Sequence, residues 1–100
     1  MDTHPALDEL LLKLNTIFPS IQEKYHVKSL EVFGSFLRGE ETSESNLDLL
    51  VTFSEMPGLF TFVKLENYLS YALGIEVDLV MKDSLKPNIG ERILAEARPI

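Results

Sequence analysis

Apolar side chains recur every three or four residues in three long segments of the chain, which is the spacing of helices that bury one face. The first segment predicts a helix from Leu7 to near His26, with Thr3 as its N-cap and Pro5 in its first turn. Pro19 lies inside this segment, and because proline has no amide hydrogen we expect the helix to kink or restart there.

The other two helical segments have recognisable start or stop residues. The second runs from Leu59 to Leu73 and is followed by Gly74, a residue suited to the left-handed conformation that ends many helices. The third runs from Ser84 to Arg98, with Pro87 near its start, where a missing amide hydrogen is tolerated. The chain therefore carries three predicted helices of useful length.

Three shorter segments have the composition of strands. The first, Val27 to Phe33, is rich in β-branched and aromatic residues, and the second, Leu47 to Phe53, is apolar apart from one acid. The third, Ile75 to Val80, alternates apolar and acidic residues. With one helical turn after the first strand, the order αβ(α)βαβα predicts an α+β fold in two layers: a small mixed β-sheet with helices on one face and the other face or rim free for chemistry.

Length and composition limit the architecture further. The chain has 100 residues, of which 45% are hydrophobic and 25% charged, so we expect residues 1–100 to fold as a single domain. It has no cysteine, which excludes a disulfide framework, a thiolate zinc site and a cysteine nucleophile. No apolar run approaches the roughly 20 residues that span a bilayer, and no signal-like segment is present, so the expected location is cytoplasmic without membrane association.

The charge balance bears on possible partners. Nine basic against sixteen acidic residues give a formal net charge of −7. Such a chain has little non-specific attraction to a nucleic-acid backbone, so no direct nucleic-acid binding is expected. Phosphate binding here requires a local arrangement that offsets this charge.

A Gly-Ser step follows the first predicted strand directly. Backbone amides and the Ser35 hydroxyl would then lie at the start of a helical turn, next to Gly34, where phosphate oxygens bind even in an acidic protein. Arg38, one turn later, is placed to add a phosphate contact. The alternative for Arg38 is a surface ion pair with one of the acids in residues 40–44.

Two predicted strands each carry an aspartate that packing does not require. Asn46 and Asp48 are two residues apart, so their side chains project from one face while Leu47 and Leu49 project from the other. Asp78 lies in the third strand among apolar neighbours. The pair of carboxylates indicates a shared Mg²⁺ site completed by substrate phosphates, and the alternative is two surface acids satisfied by solvent or backbone amides.

The spacing of these residues resembles a known signature. Gly34-Ser35, ten residues, then position 46, Leu47 and Asp48 is similar to the Gly-Ser-x10-Asp-x-Asp pattern of the DNA polymerase β nucleotidyltransferase superfamily, and the run from Phe33 to Glu40 resembles its minimal prokaryotic branch. The likeness extends over most of the chain, including the acidic third strand and the closing helix.

The resemblance implies a polymerase-β-like fold and the transfer of a nucleoside monophosphate, usually AMP from ATP, to a hydroxyl acceptor with release of pyrophosphate. The minimal members resemble antitoxins that adenylylate a tyrosine of a HEPN-type ribonuclease toxin. By this resemblance, the nucleotide-binding residues are Gly34, Ser35 and Arg38, and the catalytic and Mg²⁺-binding residues are Asn46, Asp48 and Asp78.

One position departs from the family pattern, because Asn46 stands where the family has the first aspartate. Its carbonyl oxygen can still bind Mg²⁺, but the site loses one negative charge. Two further hypotheses therefore stay open beside the enzyme: a catalytically degenerate protein of the same fold that acts as a binding antitoxin, and an unrelated acidic α/β interaction domain.

Overall fold

In a computed structural model, which describes residues 6–100 apart from the side chain of Ile89, the chain forms a four-stranded mixed sheet with helices. The strand order is β3-β2-β1-β4, in which β2 is antiparallel to β1 and parallel to β3, and β4 is antiparallel to β1. The elements are α1 (Leu7–Tyr25), β1 (Val27–Phe33), α2 (Ser35–Arg38), β2 (Leu47–Phe53), α3 (Leu59–Leu73), β3 (Val77–Met81), a 3-10 turn (Lys82–Ser84), α4 (Pro87–Glu96) and β4 (Arg98–Pro99). The predicted α+β class with a mixed sheet is confirmed.

The core lies between one face of the sheet and the two long helices, α1 and α3. Along β2, Leu47, Leu49 and Val51 are at most 1% exposed and face these helices, as strand alternation predicts. The other contributions to this cluster are Leu10, Leu14 and Ile21 from α1, Val27, Leu30 and Val32 from β1, Phe36 from α2, Leu65, Leu69 and Leu73 from α3, and Val77 and Leu79 from β3. Within residues 6–100, no helix is both long and apolar enough to cross a membrane.

The first helix is uninterrupted at its proline. α1 continues through Pro19, which is exposed on the outer side, where the carbonyl group left without a partner can be hydrated. The predicted restart at this residue is therefore wrong, and the alternative of a kink at Pro19 stays a prediction. Ala6 occupies the N-cap position, whereas the proposed cap Thr3 and Pro5 lie outside the described residues.

The C-terminal part differs most from the sequence prediction. The last helix begins at Pro87, whose ring suits the first helical position, instead of at Ser84, which belongs to the 3-10 turn. It ends at Glu96 because the following residues pair with β1 as the short strand β4, with Arg98 opposite Val32. The ladder hydrogen bonds to β1 thus replace the final helical turn that the apolar spacing predicts.

The free edge of the sheet is held by side chains of α3. β3 is an edge strand, so its outward N–H groups have no strand partner. The Val77 N–H donates to Ser70 Oγ at 3.0 Å, and the Leu79 N–H donates to Glu66 Oε2 at 2.9 Å. Asp78 lies between these two anchored residues, so α3 fixes the position of its backbone.

We expect Glu66→Ala to lower the free energy of unfolding by about 1–3 kcal/mol, because the part-buried Leu79 N–H loses its acceptor. Glu66→Gln keeps a carbonyl oxygen at this position and is expected to lower the free energy of unfolding by less than Glu66→Ala does. Urea unfolding of both variants measures the difference. Equal destabilisation by alanine and glutamine would show that the bond to Leu79 contributes nothing.

Candidate active site

The ends of three neighbouring strands, β1, β2 and β3, lie on the same side of the sheet. Each carries, or is followed by, a residue that the sequence analysis singled out. β1 ends at Phe33, which lies opposite Asp48 near the start of the antiparallel strand β2. Asp48 in turn lies directly opposite Asp78 in the parallel strand β3. Gly34 follows Phe33 and packs against the Asp48 side chain. The structure therefore brings together Gly34 and Asp78, which are 44 positions apart in the chain.

Gly34 has a backbone conformation that only glycine adopts readily. Its φ of 82° and ψ of −159° fall in a region that other residues essentially avoid. A Cβ atom at this position would overlap Asp48 Oδ2 and would lie 2.9 Å from Asp48 Cγ. The absent side chain thus leaves the space in which the Asp48 carboxylate lies.

The helical turn expected after Gly34 is present as α2. It consists of four residues, Ser35–Arg38, and ends at Gly39, whose N–H donates to the carbonyl oxygens of Phe36 and Ser35. Ser35, at its first position, is partly exposed. A single turn has only a small summed dipole, so what it offers a ligand is individual N–H groups and the serine hydroxyl.

The environment of Asp48 disfavours its charged form. Burial, and then the nearby negative charge of Asp78, raise the pKa of Asp48 to about 6, while the positive charge of Arg38 acts in the opposite direction. Asp78 is exposed, and Asn46 Nδ2 donates a hydrogen bond to Asp78 Oδ2 at 3.1 Å. Asn46 therefore supplies a hydrogen-bond donor to this pair where an aspartate would add a third negative charge.

The chemistry of these groups fits a hard divalent cation. Asp48, Asp78 and the amide oxygen of Asn46 are oxygen ligands of the kind that Mg²⁺ prefers. The pKa of Asp48 is raised first by burial and then by the negative charge of Asp78, and a bound cation would favour the ionised carboxylate against both. Among the described residues no group of three or more acidic, histidine or cysteine side chains is arranged around a metal position.

Arg38 is engaged in two ion pairs. Its Nε lies 2.8 Å from Glu40 Oε1 and its Nη1 lies 2.7 Å from Glu96 Oε1, at the end of α4. These bonds raise the pKa of the guanidinium, the Glu40 bond most. The pair with Glu40 is the alternative that the sequence left open, and the pair with Glu96 joins residues 58 positions apart. Arg38 therefore ties α2 and the following loop to α4.

The last helix, α4, carries none of the site residues predicted from the sequence, yet it borders the site. A cavity of about 540 Å³ lies between this helix and the end of β1. Asn88, Arg92 and Glu96 line it from α4, facing Gly34 and Arg38. The spacing of four residues places these polar positions on one helix face, a pattern that is equally typical of a solvated surface.

Comparison with known proteins identifies the family. The family model for the nucleotidyltransferase domain matches residues 14–100 of this chain. The chain belongs to this nucleotidyltransferase family. The match includes all six predicted site residues, from Gly34 to Asp78.

Relatives of this nucleotidyltransferase include one of nearly equal length. The protein adenylyltransferase MntA of Thermococcus cleftensis is 43% identical over 91 residues, which cover 91% of this chain and 92% of the relative. A solved structure assigned as a minimal nucleotidyltransferase superimposes with a TM-score of 0.83 at 34% identity, covering 99% of this chain and all of that one. These likenesses support an enzyme of nucleotidyltransferase type.

A more distant likeness is to a toxin-antitoxin complex. The structure of a tri-AMPylated Shewanella oneidensis HEPN toxin with an MNT antitoxin contains a chain that matches with a TM-score of 0.65 at 18% identity, covering 90% of this nucleotidyltransferase and 70% of that chain. At this identity the likeness concerns the fold alone.

Proposed function

We propose that this nucleotidyltransferase transfers AMP from ATP to a hydroxyl acceptor in a Mg²⁺-dependent reaction, and that the acceptor is a tyrosine of a HEPN-type toxin, which makes the protein an antitoxin. The observation that carries the chemistry is the pair formed by Asp48 and Asp78, directly opposite in β2 and β3, with Gly34 packed against one of them. A pair of carboxylates beside a Gly-Ser turn suits a metal-bound triphosphate.

Each residue of the site has a role in this proposal. Asp48 and Asp78, with the amide oxygen of Asn46, would hold Mg²⁺, which when bound neutralises charge on the triphosphate and on the leaving pyrophosphate. The Ser35 hydroxyl and the N–H groups beside Gly34 hold phosphate oxygens. Arg38 contributes positive charge close to Asp48.

The proposed reaction is a displacement at the α-phosphorus. The acceptor oxygen forms a bond to this phosphorus, the bond to the bridging oxygen of the β-phosphate breaks, and pyrophosphate leaves with the bonding electron pair. The acceptor proton passes to solvent. Because Asp78 is exposed and Ser35 and Asn46 are partly exposed, a side chain on the surface of another protein can approach these residues.

The antitoxin role is supported by the relatives and by the charge of the chain. The Thermococcus cleftensis relative is named a protein adenylyltransferase, and the Shewanella complex contains an AMPylated HEPN toxin with its MNT antitoxin. A net charge of −7 would also speed association with a basic partner surface.

Calorimetric titration with the non-hydrolysable analogue AMP-PNP, with and without Mg²⁺, tests the nucleotide and metal parts of the proposal. We expect binding that requires Mg²⁺. Transfer is then measured with α-labelled ATP and the purified Shewanella HEPN toxin, where label on a toxin tyrosine supports the acceptor assignment. Absence of AMP-PNP binding in Mg²⁺ would contradict the enzymatic proposal.

The second candidate function is a degenerate nucleotidyltransferase that neutralises a toxin by binding alone, and Asn46 favours it because it supplies no negative charge. In this case neutralisation would follow binding affinity and would persist in Asp48→Ala. Toxin binding and RNase inhibition by this variant, compared with the natural protein, separate the two functions.

We expect Asn46→Asp to strengthen Mg²⁺-dependent AMP-PNP binding roughly tenfold, which corresponds to about 1.4 kcal/mol, because a third carboxylate joins the ligand set. Without Mg²⁺ the same change is expected to destabilise the protein, since Asp78 loses its hydrogen-bond donor and gains a like charge. Thermal unfolding with AMP-PNP and Mg²⁺ checks the direction of the first effect, and thermal unfolding without Mg²⁺ checks the direction of the second. Equal Mg²⁺ affinity in the two proteins would exclude position 46 from the metal site.

A further inference from the structure

The cavity beside Gly34 contains two guanidinium groups in very different situations. Arg38 is paired with both Glu40 and Glu96, so its charge is already compensated by two carboxylates. The Arg92 side chain, which lines the same cavity, makes no ion pair or hydrogen bond within the part of the chain that the structure describes. Among the residues that the structure describes, Arg92 is thus the cation in this cavity that no carboxylate compensates.

The position of Arg92 is set by the periodicity of α4. Asn88, Arg92 and Glu96 are spaced by four residues, so they lie along one face of the helix, and this face lines the cavity. Glu96 is used to hold Arg38, which leaves Arg92 and Asn88 as the donors on this side. Gly34, at the start of α2, lies in the same cavity.

A nucleoside triphosphate would bring further negative charge to a site that is already acidic. Near the site, Asp48, Asp78, Glu40 and Glu96 are all acidic, and Arg38 offsets only part of their charge. Phosphates that extend past Gly34 enter the cavity between α2 and α4, where a free guanidinium can bind two oxygens at once.

We propose that Arg92, with Asn88 beside it, binds the terminal phosphates of the nucleotide and so makes the site selective for triphosphates over monophosphates. The proposal rests on the ATP-dependent function above and goes beyond it by assigning the polyphosphate to the α4 side of the cavity. Arg38 then has a positioning role, because its pair with Glu96 fixes α4 and hence Arg92 relative to the Gly-Ser turn.

The test compares AMP-PNP with AMP in the natural protein, Arg92→Gln and Arg92→Lys, by competition calorimetry in Mg²⁺. We expect Arg92→Gln to weaken AMP-PNP binding roughly 10–100-fold and to leave AMP binding unchanged, because only the terminal phosphates lose a charged partner. Arg92→Lys, which keeps the positive charge, is expected to weaken AMP-PNP binding less than Arg92→Gln does. Arg92 is exposed and glutamine is a good helix former, so the variant retains its fold.

Lys28→Gln is the matched charge control. Lys28 is exposed near the opposite end of β1 from Phe33, so its loss changes the net charge equally without touching the cavity. If Lys28→Gln and Arg92→Gln weakened AMP-PNP binding equally, the effect would be one of overall charge, and the assignment of Arg92 would be overturned.

The remaining outcomes separate failure of this inference from failure of the proposed function. Unchanged AMP-PNP binding in Arg92→Gln, with normal Mg²⁺-dependent binding by the natural protein, overturns the role of Arg92 alone. An equal loss for AMP and AMP-PNP would assign Arg92 to the nucleoside or α-phosphate instead. Absence of nucleotide binding by the natural protein overturns both proposals together.

Discussion

Gly34→Ala is expected to abolish Mg²⁺-dependent AMP-PNP binding and to lower the free energy of unfolding by about 3 kcal/mol or more. An alanine at position 34 must adopt a backbone conformation that only glycine tolerates readily, with φ of 82° and ψ of −159°. Its Cβ must also displace the Asp48 carboxylate, because it would overlap Oδ2 and lie 2.9 Å from Cγ. Urea unfolding and calorimetry measure the two effects separately.

Gly74→Ala provides the control for backbone strain. Gly74 has a positive φ of 71°, but a Cβ there meets no atom within 4 Å. We expect this substitution to cost about 1–2 kcal/mol, the penalty of the left-handed conformation alone, and to leave nucleotide binding intact. A Gly34→Ala cost no larger than that of Gly74→Ala would show that the contact with Asp48 is unimportant.

A double-mutant cycle isolates the contact itself. In an Asp48→Ala background the carboxylate is gone and the nearest Asp48 atom that remains, Cβ, lies 3.2 Å from the built Cβ of residue 34. Gly34→Ala is therefore expected to destabilise this background less than it destabilises the natural protein. If Gly34→Ala and Asp48→Ala lowered the free energy of unfolding additively, the whole effect of Gly34→Ala would be due to backbone strain.

Local periodicity explains why much of the sheet was predictable. The bounds of β1 and β2 follow from short apolar runs that end at turn residues, and alternation along β2 correctly separates the core residues Leu47 and Leu49 from Asp48. The sequence suggested a shared site because two strands each carry an aspartate that packing does not require, and the parallel pairing of β2 with β3 places Asp48 directly opposite Asp78.

The unpredicted features depend on contacts between distant residues. β4 has two residues, one of them Pro99, so it carries too little pattern to compete with the apolar spacing of α4, and only its ladder to β1 defines it. The Arg38 to Glu96 ion pair likewise depends on where α4 lies. Local sequence signals contain no information on either contact.

Asp48→Asn is expected to weaken Mg²⁺-dependent AMP-PNP binding roughly a hundredfold or more, since changes in the outer shell of a metal site alone cost 10–100-fold. The same substitution is expected to increase the free energy of unfolding at neutral pH. Asparagine has nearly the same shape as aspartate, fits against Gly34 in the same way, and removes a half-buried charge that faces Asp78. Calorimetry and urea unfolding at pH 7.5 test both directions.

The pH dependence of stability identifies the cause of this gain. The pKa of Asp48 is about 6 in the folded protein, above the value of roughly 3.9 for an unfolded chain. Between these values the folded chain binds more protons than the unfolded chain, so the contribution of Asp48 to the free energy of unfolding falls as the pH rises from about 4 to 6 and then stays constant. The stability difference between Asp48→Asn and the natural protein should therefore increase over this range.

Asp83→Asn is the control for this measurement, because Asp83 is an exposed acid in the 3-10 turn after β3. Replacing this exposed side chain is expected to change the free energy of unfolding by no more than about 0.5 kcal/mol. A flat or decreasing difference for Asp48→Asn would show that Asp48 ionises in the fold without cost. An increasing difference together with lost AMP-PNP binding would mean that the carboxylate is retained at the expense of stability because the nucleotide site requires its charge.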